Sequence, residues 1–314
     1  MKIHLVFSIT YLCICLACAM LAYIITPDQS KYCNTQVLNN SFLKPGSTVC
    51  YKAEIASNQK RNFKDLVFGT ENFNKLVQAT NSDTIKNCKT YFLGTDRYGR
   101  DLLSRLIIGM RYTLLISILS VIFALLLGSF LGSIAGYYSG FIDKFISFNI
   151  GVFWALPSIL VSFIILMAIG KTITALFLSI GLTMWADVAR LVRGQVLSIK
   201  EQYYVQASKA LGYSDGRIIF SQILPNAIGP IMVSCSSNFA LAVLLESGLS
   251  FLGLGLQAPI PTIGNILQDQ YVQAFNGEFL QSLIPAIVLV LLILSFQVLA
   301  NHLRDRFDVK LIKG

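Results

Sequence analysis

Apolar residues in this chain gather into long runs, and polar residues fill the gaps between them. Six runs come close to or exceed the roughly 20 residues that a helix needs to cross a bilayer. They extend from Leu5 to Ile25, Leu114 to Ala135, Phe145 to Ile169, Ile173 to Ala189, Ile231 to Leu256, and Phe279 to Ala300. The third holds Pro157, which predicts a kink. The fourth carries Asp187 near its end, three residues before Arg190, a spacing that predicts a local ion pair on a helix. The pattern predicts an all-α polytopic membrane protein with six transmembrane helices. A membrane barrel would show short alternating segments instead.

Composition agrees with this pattern. The 314 residues are 54% hydrophobic and 13% charged, with a mean hydropathy of +0.64. Soluble domains carry about 25% charged residues. The net charge of +9 does not point to nucleic acid, because about half of the Lys and Arg lie between Pro27 and Tyr112. Short-loop charge sets orientation. Arg190, Arg193, Lys200, Lys209 and Arg217 follow the fourth run, and Arg304, Arg306, Lys310 and Lys313 follow the sixth. Residues 257–278 have no Lys or Arg, and residues 170–172 only Lys171. The expectation is that segment 201–230 and both termini are cytoplasmic.

The chain divides into an N-terminal anchor (1–26), an extracytoplasmic insertion (27–93), an amphipathic interfacial helix (94–112), a five-helix core (113–303) and a cytoplasmic tail (304–314). The first run has Lys2 before it and Ala17-Cys18-Ala19 within it, as a cleaved signal does. Its length exceeds the usual apolar region of about 7–15 residues, so it reads as a retained anchor. The insertion is polar and holds Cys33, Cys50 and Cys88. An odd number allows at most one bridge, and the sequence does not choose the pair. Cys13, Cys15, Cys18 and Cys235 lie in apolar runs as small packing residues. In 94–112, Leu102, Leu103, Leu106, Ile107 and Met110 share one helical face. Arg100, Asp101, Ser104 and Arg105 share the other, with Thr95 or Asp96 as the cap.

Catalytic chemistry is not legible. No GxxxxGK[ST] phosphate loop occurs, and the only histidines are His4 and His302. No cofactor, metal or catalytic residue is expected. Gly128, Gly132 and Gly136 recur every four residues, a stripe that lets another helix approach closely. Glu246 sits within the fifth run. A carboxylate there faces a pathway or bonds locally to Ser247 or Ser250.

The most informative interruption is "EQYYVQASKALGYSDGRIIFSQILPNAIGP", residues 201–230. A short helix fits from Tyr203 to Leu211, with Tyr204, Ala207, Ser208 and Leu211 on one face. That face is small in the middle and bulky at its ends, a shape for a groove. Gln202, Gln206 and Lys209 lie opposite. Gly212 is placed as a left-handed terminator. Ser214 or Asp215 would cap a second helix through Ile223, and Pro225 would end or bend it.

This segment resembles the EAA loop of permease subunits in type I ABC importers. That pattern is Glu-Ala-Ala, then glycine, then Leu-Pro; here Gln206-Ala207-Ser208, Gly212 and Leu224-Pro225 stand in those places. Glu and the second Ala are replaced, and the usual Ile two before the Leu is Gln222. The block "YVQASKALGYSDGRIIFSQILPN" is similar to the dipeptide/oligopeptide branch. So are "LGTDRYGRDLLSR", "GYYSGFIDK", "ARLVRGQVLS" and "ESGLSFLGLGLQAP". The likeness runs from about Leu93 to Asp308 and is to the second (C-type) permease of the pair.

The resemblance implies the type I ABC importer transmembrane fold. It also implies a second homologous permease, two cytoplasmic ATPases and an extracytoplasmic solute-binding protein as partners in the lipid bilayer. The helix from Gln206 to Gly212 would couple to one ATPase, and ATP would bind to those separate chains. Two other readings stand beside this one. A secondary transporter driven by an ion gradient would show inverted repeats and midplane acidic groups, of which only Glu246 is suggestive. A structural subunit of a membrane complex is the other, and neighbouring genes for ATPases and a binding protein would separate the three.

Overall fold

The computed structural model describes residues 2–28, 30–52, 77–78, 86–275 and 279–312. Along the chain, α1 spans Lys2–Met20 and α2 spans Ala22–Ile25. A small sheet follows, made of β1 (Ser47–Lys52), β2 (Val77–Gln78) and β3 (Lys86–Tyr91). Then come α3 (Leu102–Tyr138), α4 (Gly140–Ala155), α5 (Ser158–Ile169), α6 (Ile173–Lys200) and α7 (Tyr203–Ala210). The last three are α8 (Asp215–Phe251), α9 (Ile263–Phe275) and α10 (Phe279–Ile312).

Among the described residues, α3, α6, α8 and α10 are long and apolar enough to cross a membrane, and the bent pair α4–α5 makes a fifth span if taken as one. The apolar part of α1, His4–Met20, is shorter. The expected first span is also interrupted at Leu21, so the six-helix count is met only in part. The kink expected at Pro157 is a full break, with α4 and α5 meeting at 100°. Leu156 is extended, because a residue before proline is pushed out of the helical region.

Two compact units divide the chain. The first comprises Met1–Leu12, Leu115–Glu246 and Leu292–Gly314. Its interior is built where α3 meets α6. A Cβ at Gly128 would lie 2.6 Å from the Val188 Cβ, one at Gly132 2.5 Å from the Ala189 carbonyl oxygen, and one at Gly136 2.8 Å from the Val196 Cβ. Only glycine permits so close a crossing. Ser162 and Thr183 hydrogen-bond at 2.8 Å between α5 and α6. The ion pair expected between Asp187 and Arg190 is not among the salt bridges of the described residues. The Arg190 guanidinium lies over the Trp154 ring, 4.1 Å from its centroid, and Trp154 also hydrogen-bonds Asp187. An aromatic face within reach offered the guanidinium a stacking partner. Leu126, Phe141 and Phe148 stay more than half exposed, as side chains meeting lipid do.

The second unit comprises Cys13–Leu114 and Ser247–Leu291. Its strands form an antiparallel sheet in the order β2-β1-β3. Cys50 faces Cys88 across β1 and β3, and these two form the disulfide, leaving Cys33 buried as a thiol. Residues 53–76 and 79–85 of the insertion lie outside the described residues.

The interfacial helix expected over 94–112 is corrected. Residues 95–101 form a compact turn, and from Leu102 the chain is already α3, which runs without interruption to Tyr138. The polar face is not turned to water: Arg100, Asp101, Ser104 and Arg105 are all buried. Asp96 caps no helix. Its Oδ1 accepts the backbone N–H groups of Tyr98 and Arg100, and its Oδ2 accepts Arg100 Nε at 2.6 Å and Arg105 Nη1 at 3.0 Å. Asp269 on α9 accepts Arg100 Nη2 at 2.8 Å and Arg97 Nη2 at 2.9 Å. Burial raises the Asp269 carboxyl above its ordinary range, against the pull of Arg100 and Arg97. Thr95 bonds the Asn40 carbonyl instead of capping. α9 itself was not foreseen, although Ile263, Ile266 and Leu267 recur there at helical spacing.

Candidate functional site

The 201–230 segment lies on the first unit, exposed over 201–217 except at Val205, Ser208 and Asp215 and then entering α8. α7 covers Tyr203–Ala210 with Gln202 extended before it and no side-chain cap. Gly212 closes it at φ +79°. Tyr213 N donates to the Ser208 carbonyl and Gly212 N to the Lys209 carbonyl, the paired bonds of a Schellman end. A Cβ at Gly212 would meet nothing within 4 Å, so the demand for glycine there is one of backbone conformation alone.

Val205 is the single buried side chain of α7. It belongs to a cluster with Tyr137, Val196, Ile218 and Ile219. The face carrying Tyr204, Ala207 and Ser208 and ending at Leu211 stays open except at half-buried Ser208: Leu211 is 75% exposed, Tyr204 44%, and neighbouring Tyr203 89%. Gln206, on the other side, donates to the Glu201 carbonyl and lines a cleft of about 120 Å³ with Tyr137, Lys200 and Lys209. Two of the three departures from the EAA pattern meet each other, since Gln222 Nε2 donates to Ser208 Oγ at 2.8 Å. Asn226 Nδ2 donates to the Tyr204 hydroxyl at 2.9 Å.

Two local expectations are corrected. Ser214 occupies the N-cap position of the next helix but makes no side-chain cap bond, and Asp215 does not cap either. The Asp215 Oδ1 accepts the Tyr137 hydroxyl at 2.7 Å. Pro225 does not end the second helix. α8 runs on past it to Phe251, and the turn before it, Ile219–Ile223, widens into π geometry. A wider turn accommodates the ring and the missing N–H of the proline. Leu224 packs against the Val205 cluster, and Pro225 is exposed.

Gly128, Gly132 and Gly136 lie at the α3–α6 crossing, and Glu246 is fully buried on α8. Neither belongs to the exposed element. Sequence reasoning missed Tyr137, Lys200 and Val205. Tyr137 stood in a singled-out motif, but nothing local announced that it reaches Asp215.

Residues 128–309 match a family model described as binding-protein-dependent transport system inner membrane component. Over 226 residues the chain is 38% identical to the dipeptide transport system permease protein DppC of Alkalihalophilus pseudofirmus, covering 70% of this chain and 72% of that protein. It is 39% identical over 220 residues to the oligopeptide transport system permease protein OppC of Salmonella typhimurium, covering 70% and 72%. Against the glutathione transport system permease protein GsiD of Salmonella paratyphi A, identity is 35% over 224 residues, covering 71% and 73%. Among solved structures, the inward facing MetNI methionine ABC transporter superposes with a TM-score of 0.54 at 18% identity, covering 65% of this chain and 97% of that one. At that identity the likeness is one of fold.

Proposed function

The chain belongs to the family of binding-protein-dependent transport system inner membrane components, and on that premise we propose that it forms half of the path of an ATP-driven importer of dipeptides or oligopeptides. It is a permease of the dipeptide/oligopeptide C type and not an enzyme. The other half of the path is a second, homologous permease. Two cytoplasmic ATPases supply the energy, and an extracytoplasmic binding protein delivers the solute.

The observation that carries the coupling role is the exposed α7 face. Its backbone end is satisfied and one side chain, Val205, is buried, yet Tyr204 and Leu211 stand in the open on either side of Ala207 and Ser208. Large exposed apolar groups around a small-residue centre fit a cleft on a partner. Closure of the ATPases on ATP would then move α7, and α7 would move the spans behind it.

Docking buries Ala207, so a carboxylate there must be desolvated without a partner, at a cost of several kcal/mol. Ala207→Asp is expected to strip the ATPases from the purified membrane complex while the permease still inserts. Lys209→Ala, on the opposite face, is expected to retain them. If Ala207→Asp co-purifies with the ATPases at the parental ratio, α7 is not the docking element.

The protein is a multi-pass inner-membrane component. We place 201–230 and both termini in the cytoplasm and 27–93 outside, on the Lys and Arg asymmetry of the short loops. Reporters active on one side only, fused at Asn58, Asp215 and Gly314, test this. A cytoplasmic signal at Asn58 would reverse it.

A further inference from the structure

Three motifs marked in the sequence, "GYYSGFIDK", "ARLVRGQVLS" and the 203–225 block, meet in the first unit. Tyr137 stands at their junction, in the last turn of α3. Its ring is 6% exposed and lies in the cluster that holds Val205. Its hydroxyl donates to Asp215 Oδ1 at 2.7 Å, at the first residue of α8. Its carbonyl accepts Lys200 Nζ at 2.7 Å, from the last residue of α6. The same ammonium sits 5.6 Å above the Tyr137 ring. Close by in sequence, Asp143 on α4 accepts Arg193 Nη2 of α6 at 2.8 Å. The end of α3, the end of α6 and the start of α8 are therefore all bound to one residue, and Val205, the one buried side chain of α7, shares its cluster.

We propose that Tyr137 is the positioning residue that passes the displacement of α7 into the membrane-spanning helices; this rests on the docking role of α7 proposed above. An eight-residue helix has little stability of its own and goes where its anchors go. Val205 is an apolar anchor, which resists separation but gives no direction. The Tyr137–Asp215 bond is directional and involves a charged acceptor, which makes it stronger than a neutral pair. Lys200 complements the carbonyl end of α3, where a cation is favoured. Tilting α7 and the 211–214 turn moves Asp215, and Asp215 pulls on the end of α3 through the phenol. Phenylalanine would keep the packing and cut only this link.

The test uses the whole importer, with both permeases, the ATPases and the binding protein, in proteoliposomes. Phosphate release is read with and without the binding protein, and ATPase content is read by co-purification. In Tyr137→Phe the ATPases are expected to stay bound at the parental ratio. Stimulation by the binding protein is expected to fall about tenfold, the loss expected of one hydrogen bond to a charged group. Asp215→Asn keeps an acceptor and is expected to fall less than Asp215→Ala. The double variant Tyr137→Phe/Asp215→Ala is expected to be no worse than either single change, because both cut the same link. Parental stimulation in Tyr137→Phe, additive losses in the double variant, or release of the ATPases by Tyr137→Phe would each overturn the proposal. A failure of the docking reading shows separately, as ATPases retained by Ala207→Asp.

Discussion

Residues 95–105 and residues 201–217 look alike in sequence, each a charged interruption beside an apolar run, and the fold treats them in opposite ways. In the first, Asp96, Arg100 and Arg105 are buried and pair with half-buried Asp269, and each of the two carboxylates receives two or more donors. In the second, only Val205 of α7 is buried, and Tyr203, Tyr204 and Leu211 remain in the open. The first is finished within the chain, while the second presents apolar groups for another molecule to cover. Charge content does not distinguish a structural cluster from a docking surface. What distinguishes them is whether the polar groups find partners inside the fold and whether apolar groups are left outside it.

The largest effect expected from this contrast is that of Asp96→Ala. It leaves Arg100 and Arg105 short of a buried counter-charge, and breaking such a pair costs about 3–5 kcal/mol. Thermal unfolding of the detergent-purified permease should show a large loss of stability or no folded protein. A melting curve like that of the parent would break the comparison, because the cluster would then not be structural. Gly212→Val is smaller. It forces a β-branched residue to φ +79° in open space, at about 1–2 kcal/mol confined to the end of α7. ATPase co-purification should weaken while the melting temperature barely moves. Equal losses of melting temperature in the two variants would mean that the exposed segment is as integral to the fold as the buried cluster.

Much of this site was legible because it rests on local rules. Gly212 had to be left-handed to end α7, and it is. The face of Tyr204, Ala207 and Ser208 was readable from helical spacing; Tyr204 and Ala207 are exposed, and Ser208 is half-buried beside Gln222. The readings that failed depended on distant residues. Thr95, Asp96 and Asp215 looked like helix caps, since capping is the nearest use for such side chains. Asn40, Arg105 and Tyr137 claimed them instead, 55, 9 and 78 residues away. The polar face of 100–105 looked solvated because Asp269, its partner, lies 169 residues from Arg100.

The sequence by itself determined the class of molecule, the apolar runs, a departure from straight helix at Pro157 and the exposed segment with its glycine stop. Composition, helical period and backbone sterics act over a few residues, and they are written wherever those residues are. Only the tertiary structure decided that Cys50 pairs with Cys88, that α3 starts inside a buried ion cluster, and that Tyr137 ties three helix ends together. Each of these is a meeting of groups far apart in the chain, and their partners become neighbours only when the fold closes.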